Sequence, residues 1–148
     1  MPKKEKSNPL DIVLEKYKGV LRKGSDPYFK YGRIKFGIEP LDKLLNGGIP
    51  KKKITILVGQ PSAGKSYLAF QAVKSVQAEG GKAIWIDTEI SWDAVWAAKC
   101  GVDVENIEVM QPTCGEEAFG VIRDVSNAGV GIVVLDSVAG LIPAVFND

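Results

Sequence analysis

The sequence predicts an α/β fold: a mostly parallel sheet flanked by helices, preceded by an N-terminal helix. Three observations carry this. From residue 53 onward, short β-branched runs alternate with stretches of helical spacing, the β-α-β order whose apolar strands lie covered by helices on both faces. Between one such run and one such helix stands Gly59-Gln60-Pro61-Ser62-Ala63-Gly64-Lys65-Ser66, which matches G-x-x-x-x-G-K-[ST]. A later run, Gly131-Ile132-Val133-Val134-Leu135-Asp136, is apolar and ends in a carboxylate.

Residues 1–30 read as a lead-in and a helix, and residues 31–148 as the α/β core. Met1 to Asn8 is polar and lysine-rich, the composition of a disordered lead-in. Pro9 to Lys23 is predicted helical: Leu10, Val13, Leu14, Tyr17 and Leu21 form one stripe, Asn8 is the N-cap and Gly24 the stop. The linker Gly24-Ser25-Asp26-Pro27 sets this helix apart, so its stripe either folds back on its own domain or docks on a neighbouring subunit. Ile34 to Ile38 is a short strand and Pro40 to Leu45 a short helix, closed by Asn46-Gly47-Gly48. Lys51-Lys52-Lys53 is a solvated turn, with a nucleic-acid contact as the alternative.

Lys53 to Val58 has the composition of a buried parallel strand. Ser66 to Glu79 places Leu68, Ala69, Ala72, Val73 and Val76 at helical spacing, and Gly80-Gly81 ends it. Ala83 to Asp87 is a strand, Trp92 to Cys100 a helix and Ile107 to Met110 a strand. Glu116 to Asn127 is a helix with Ala118, Phe119, Ile122 and Val125 on one face, and Gly131 to Asp136 is the last strand.

Composition narrows the chemistry. Of 148 residues, 45% are hydrophobic, enough for a sizeable core. Lys and Arg number 19 against 18 acidic residues, so net charge argues neither for nor against nucleic acid. No apolar run reaches the roughly 18 residues of a membrane span, and no signal peptide is evident, which predicts a cytoplasmic protein without membrane contact. With no histidine and two cysteines, a zinc site lacks ligands and histidine-based acid–base or triad chemistry is excluded. Cys100 and Cys114 read as buried free thiols rather than a disulfide.

The glycine loop points to a nucleoside triphosphate. Gly59 and Gly64 let the backbone turn tightly, so that successive N–H groups face phosphate oxygens at a helix N-terminus. Lys65 can reach the β- and γ-phosphates and the Ser66 hydroxyl can ligate Mg²⁺. Gly59, Gln60, Pro61, Ser62, Ala63, Gly64, Lys65, Ser66 and the adjoining Tyr67 are the candidate nucleotide-binding residues. Asp136 is the candidate second Mg²⁺ partner; the plainer alternative is a cap on the next turn. Asp87-Thr88-Glu89 closes another strand at the sheet edge where such folds take ligands. Glu89 is the candidate to orient and deprotonate an attacking water, the alternative being an acid favoured at a helix N-terminus. Asp93 and Trp96, at i+4 and i+7 from Glu89, share a face if the helix starts early. Trp96 would then stack on an adenine and Asp93 accept from its amino group; a packed Trp92–Trp96 pair is the alternative.

These segments together resemble the RecA recombinase family. The likeness runs in unbroken order from about residue 30 to 145. It takes in Gly47-Gly48-Ile49-Pro50-Lys51, the glycine loop, Ile86-Asp87-Thr88-Glu89, residues 93–99, Gly101 to Ile107, Gln111 to Glu116 and Val133 to Ala139. The resemblance implies a RecA-type P-loop core binding ATP and Mg²⁺, in a DNA-dependent ATPase that acts on single-stranded DNA in recombination and repair. It implies that Glu89 activates water, with Lys65 beside it in catalysis. Trp96 takes the place of an aromatic, usually tyrosine, that stacks on adenine, and Asp93 matches the acid next to it. Gln111-Pro112 matches a segment near the nucleotide end of the sheet, and the N-terminal helix one that packs on the adjacent subunit of a filament.

Pro61 and Ala63 depart from the usual acidic and serine residues of the loop, and Tyr67 from a small threonine, without removing a phosphate ligand. In the family, the remaining strands, the DNA-binding loops and a γ-phosphate-sensing glutamine lie beyond the position of Asp148. The core is therefore expected to be incomplete at its C-terminus, with single-stranded DNA held by regions outside this chain. Two alternatives stay open. Residues 37–50 are shared with other RecA-superfamily ATPases, namely hexameric helicases and RadA-like or clock-type proteins. The chain is otherwise a nucleotide-binding fragment without hydrolysis.

Overall fold

The computed structural model describes residues 8–146. The chain divides into two compact units, one ending at Gly32 and the other starting at Arg33.

The first unit is built on α1 (Pro9–Lys16). Asn8 caps it, its side chain accepting from the Leu10 N–H at 3.0 Å, and Pro9 supplies a preset φ in the first turn. The helix ends at Lys16 rather than at Lys23. Gly19 costs about 1 kcal/mol relative to alanine inside a helix, and the chain instead curls back, Val20 and Leu21 both donating N–H groups to the Tyr17 carbonyl at 2.8 Å. The predicted stripe of Leu10, Val13, Leu14, Tyr17 and Leu21 is exposed throughout. The linker is a turn leading into a short 3-10 segment, Pro27–Phe29, which Asp26 caps at the Tyr28 N–H (2.8 Å). The lead-in expected over residues 1–8 lies, apart from Asn8, outside the described residues.

The second unit opens with β1 (Arg33–Ile34), α2 (Glu39–Leu44) and β2 (Ile49–Pro50), with β1 and β2 antiparallel. The strand predicted to run to Ile38 stops at Ile34 because the next N–H groups are taken elsewhere. The buried carboxylate of Asp42 accepts from Phe36 at 2.8 Å and from Gly37 at 3.0 Å, and Gly37 turns the chain with φ +72°. Gly48 has φ +107°, and a Cβ there would sit 2.1 Å from the Ile34 carbonyl oxygen, so only glycine fits. Lys51 to Lys53 form the expected turn, and Lys51 pairs with Glu79 at 2.7 Å.

Then follow α3 (Lys65–Ala78), β3 (Ala83–Asp87), α4 (Ala94–Lys99), β4 (Ile107–Met110), α5 (Gly115–Asn127) and β5 (Ile132–Asp136). The three strands form a parallel sheet in the order β4-β3-β5. Ala83 faces Ile107 on one side and Ile132 on the other, and the register carries Asp87 level with Asp136.

The core lies where α3 and α4 meet this sheet. Phe70 of α3 stacks on Trp85 of β3 with ring centroids 4.6 Å apart, and Trp92 meets Phe70 edge-on at 5.8 Å. Val73, Ala97, Cys100 and Val102 close around them. The adjoining face of α3, Ala72 and Val76, packs on Ile34 and Phe36. Helical spacing identified Ala72, Val73 and Val76 but passed over Phe70, which supplies the largest contact.

Three further expectations are corrected. Lys53 to Val58 joins no ladder among the described residues: Ile54 is 92% exposed and Val58 90%. A β-branched run forms a strand only beside another edge, and among the described residues β5 pairs with β3 alone. The helix expected from Trp92 begins at Ala94, because the Asp93 side chain caps it at the Trp96 N–H (2.9 Å), which leaves Trp92 free to pack on Phe70. On α5 only Ala118 of the predicted apolar face is buried, and Phe119 is 57% exposed. Cys100 is buried, Cys114 half-buried, and both are free thiols. Among the described residues no helix is long and apolar enough to cross a membrane.

Replacing Phe70 by alanine removes the ring stacked on Trp85 and should lower unfolding stability by about 3–5 kcal/mol, read from urea unfolding followed by tryptophan fluorescence. An unchanged midpoint would mean that this stack is not the centre of the core.

Candidate functional site

The site is assembled from the first turn of α3 and the C-terminal ends of β3 and β5. Gly64 precedes α3 in the left-handed region (φ +88°), and Ser62 also has positive φ (+61°), so the loop is tightly folded just before the helix. Gly59 to Gly64 are exposed, and Tyr67 is 43% exposed. Lys65 lies back over its own loop, its ammonium donating to the carbonyls of Gly59 (3.1 Å) and Gln60 (2.9 Å). A lysine ammonium on its four-carbon stem can exchange such carbonyls for an anion.

Ser66 is the hinge of the arrangement. Its hydroxyl donates to the Asp136 carboxylate at 2.7 Å, joining two residues 70 apart in sequence. Both sequence-predicted Mg²⁺ partners are thus brought together as hard oxygen donors. A magnesium held with a nucleotide needs only one or two protein oxygens beside phosphates and waters, so the pair fits that ion.

The β3–β5 ladder continues past its last strand residues, the Thr88 N–H donating to the Asp136 carbonyl at 3.0 Å. The Thr88 hydroxyl donates to the Ser137 carbonyl at 2.6 Å and accepts from the Ser137 N–H at 2.9 Å. The Ser137 hydroxyl then donates to the Glu89 carboxylate at 2.5 Å. Glu89 and Asp136 are therefore linked through one residue, and Ser66, Asp136, Ser137 and Glu89 form a continuous polar edge. The peptide bond between Asp136 and Ser137 is cis.

Behind this edge Asp87 is buried, with 1% exposure. Its carboxylate accepts from the N–H groups of Ser91 (3.1 Å) and Trp92 (3.0 Å) and from the Gln111 side chain (3.2 Å). Burial opposes its charge, but these bonds and one from the Ser91 hydroxyl outweigh it and hold the carboxyl below its ordinary value. Asp87 thereby fixes the turn that carries Glu89 to the end of β4, where Gln111 lies.

Asp93 and Trp96 are placed differently from the expectation. Glu89 sits in a turn, beside Ile90 at φ +52°, and α4 starts only at Ala94, so the three do not share a helix face. Asp93 is engaged as the α4 cap, and among the described residues no hydrogen bond joins Asp93 or Trp96 to the loop or to Glu89. Trp96 is 51% exposed, whereas Trp92 is packed inside, so the two do not form a pair. Reading for motifs missed Thr88, Ser137 and the buried role of Asp87. The signal available was their position, flanking the two strand-end acids.

Comparison with known proteins agrees with this architecture. The family model described as RecA N-terminal domain matches residues 15–146. The chain is 42% identical over 147 residues to Protein RecA of Trichodesmium erythraeum (strain IMS101), covering 95% of this chain and 41% of that protein. To Protein RecA of Synechococcus elongatus (strain ATCC 33912 / PCC 7942 / FACHB-805) it is 38% identical over 149 residues, covering 96% and 41%. To that of Prochlorococcus marinus (strain AS9601) it is 38% identical over 147 residues, covering 95% and 40%. The chain spans about two fifths of the length of these relatives.

Asp87→Asn leaves donors facing an amide and should destabilise the fold by about 1–3 kcal/mol at neutral pH. The folded carboxyl lies below its ordinary value of 3.8, so its contribution is in place above that pH and disappears as pH falls through the lower folded value. The gap between wild type and Asp87→Asn, followed by thermal unfolding, should therefore close on acidification below about 4. A gap independent of pH would exclude a charged Asp87.

Proposed function

The chain belongs to the RecA family, and on that premise we propose that it is the ATP-binding part of a DNA-dependent ATPase and recombinase acting on single-stranded DNA. The observation that carries the reading is the 2.7 Å contact between Ser66 and Asp136, with Glu89 one residue away through Ser137. In this reading ATP lies along Gly59 to Ser66 and Tyr67 flanks it. Lys65 exchanges the carbonyls of Gly59 and Gln60 for the β- and γ-phosphates. Ser66 and Asp136 hold Mg²⁺, which when bound neutralises phosphate charge. Glu89 orients water and takes its proton as general base. Asp93 and Trp96 border the adenine, which requires Asp93 to serve as both helix cap and base contact.

The exposed stripe of α1 supports a further part of the proposal, a contact between copies of the protein in a filament. Single-stranded DNA is the proposed polymer partner. The proposal includes a cytoplasmic setting, in keeping with Cys100 and Cys114 both being free thiols.

A second reading, nucleotide binding without turnover, draws on one observation: among the described residues the run leading into the loop, Ile54 to Val58, pairs with no strand.

Binding of a fluorescent ATP analogue with Mg²⁺ should be measurable for the wild type and weakened more than about tenfold by Lys65→Ala. Glu89→Gln should leave binding within about twofold but lower ATP turnover by roughly 10²–10⁴-fold, assayed with and without single-stranded DNA. Binding without turnover in the wild type would select the second reading, and no binding at all would sink both.

A further inference from the structure

We propose that Thr88 is a positioning residue for Glu89, its hydroxyl fixing the Ser137 backbone so that Ser137 aims the Glu89 carboxylate. The catalytic part of this inference rests on Glu89 being the water-activating group.

A threonine hydroxyl has one proton to give and lone pairs to receive with. Thr88 uses both capacities on one residue, donating to the Ser137 carbonyl at 2.6 Å and accepting from the Ser137 N–H at 2.9 Å. With the Thr88 N–H bonded to the Asp136 carbonyl at 3.0 Å, the turn after β5 is tied to the turn after β3 by three bonds. The clamp is closely covered: a Cβ on Gly140 would lie 2.5 Å from the Thr88 hydroxyl oxygen and 2.8 Å from its carbonyl oxygen. The short turn Val138–Gly140 is therefore seated on Thr88. Ser137, held at both its N–H and its carbonyl, keeps only its hydroxyl for outside contacts, and that hydroxyl donates to Glu89 at 2.5 Å. Glu89 itself is on an exposed turn, so this bond is the restraint that sets where its carboxylate points.

Thr88→Val keeps the shape and removes both bonds, Thr88→Ser keeps both, and Ser137→Ala removes only the bond to Glu89. In Thr88→Val the Ser137 amide should exchange with solvent about tenfold faster than in wild type, with Thr88→Ser unchanged. The carboxyl-carbon NMR signal of Glu89 should move in Thr88→Val in the same sense as in Ser137→Ala. Where the wild type turns ATP over, Thr88→Val should lower kcat about tenfold with KM within about twofold, and Thr88→Ser should restore it. A purely structural threonine would leave the Glu89 signal in place, and that result, or an unchanged Ser137 exchange rate, overturns the proposal. If the wild type neither binds nor hydrolyses ATP, the ATP-site reading has failed, and amide exchange and the Glu89 signal still decide the clamp.

Discussion

The parallel pairing of β3 with β5 is the constraint on which the candidate site depends. Parallel strands end at the same edge of a sheet, and here the register sets Asp87 level with Asp136. A slip of one residue would turn every side chain of one strand to the opposite face. Trp85 would then leave Phe70, and Asp87 would leave the donors that surround it. The packing that fixes the register is therefore the same packing that brings the acids together. Hydrogen bonds then extend the pairing one residue beyond each strand, through Thr88 and Ser137.

The glycine loop is coupled to that edge through α3. Ser66 and Phe70 are four residues apart and lie on one helix face. The burial of Phe70 on Trp85 thus sets the rotation of α3, and that rotation aims Ser66 at Asp136. Core and site are one mechanical unit here, because a helix cannot turn one residue inward without turning the residue four positions before it. A change in the aromatic cluster would be felt at the Ser66–Asp136 contact one helical turn away along α3.

Much of this was legible in the sequence, and the exceptions share a cause. The strands Ala83–Asp87 and Ile107–Met110 have the predicted ends, because their apolar runs are short and flanked by polar or turn residues. Lys53 to Val58 has the same composition but no neighbouring edge, and composition records what a segment needs rather than what is there to meet it. The strand after Ile34 and the helix start at Trp92 failed for a related reason. In each case an aspartate side chain, Asp42 or Asp93, captured backbone N–H groups and redirected the chain. Such capture depends on distances that spacing does not encode. The acids Glu89 and Asp136 were visible as carboxylates at or just past strand ends, whereas Thr88 and Ser137 lie inside the recognised segments without an assigned role, and their pairing emerges only when the two strands lie side by side.

The loop is held unequally on its two sides, and this bears on how binding and turnover divide. On its C-terminal side α3 is packed into the core, which fixes Lys65 and Ser66 at the helix start. On its N-terminal side Ile54 to Val58 carries the chain into Gly59 without a ladder. The two flanks of the loop thus differ in what holds them, packing into the core on one side and, among the described residues, no strand partner on the other. The groups assigned to turnover are arranged otherwise. Glu89, Asp136 and Ser137 belong to the paired edge, where Asp136 bonds Ser66 and Ser137 bonds Glu89. The candidate site thus draws on two separately held parts of the fold, the loop at the start of α3 and the edge of the sheet, which meet where Ser66 bonds Asp136.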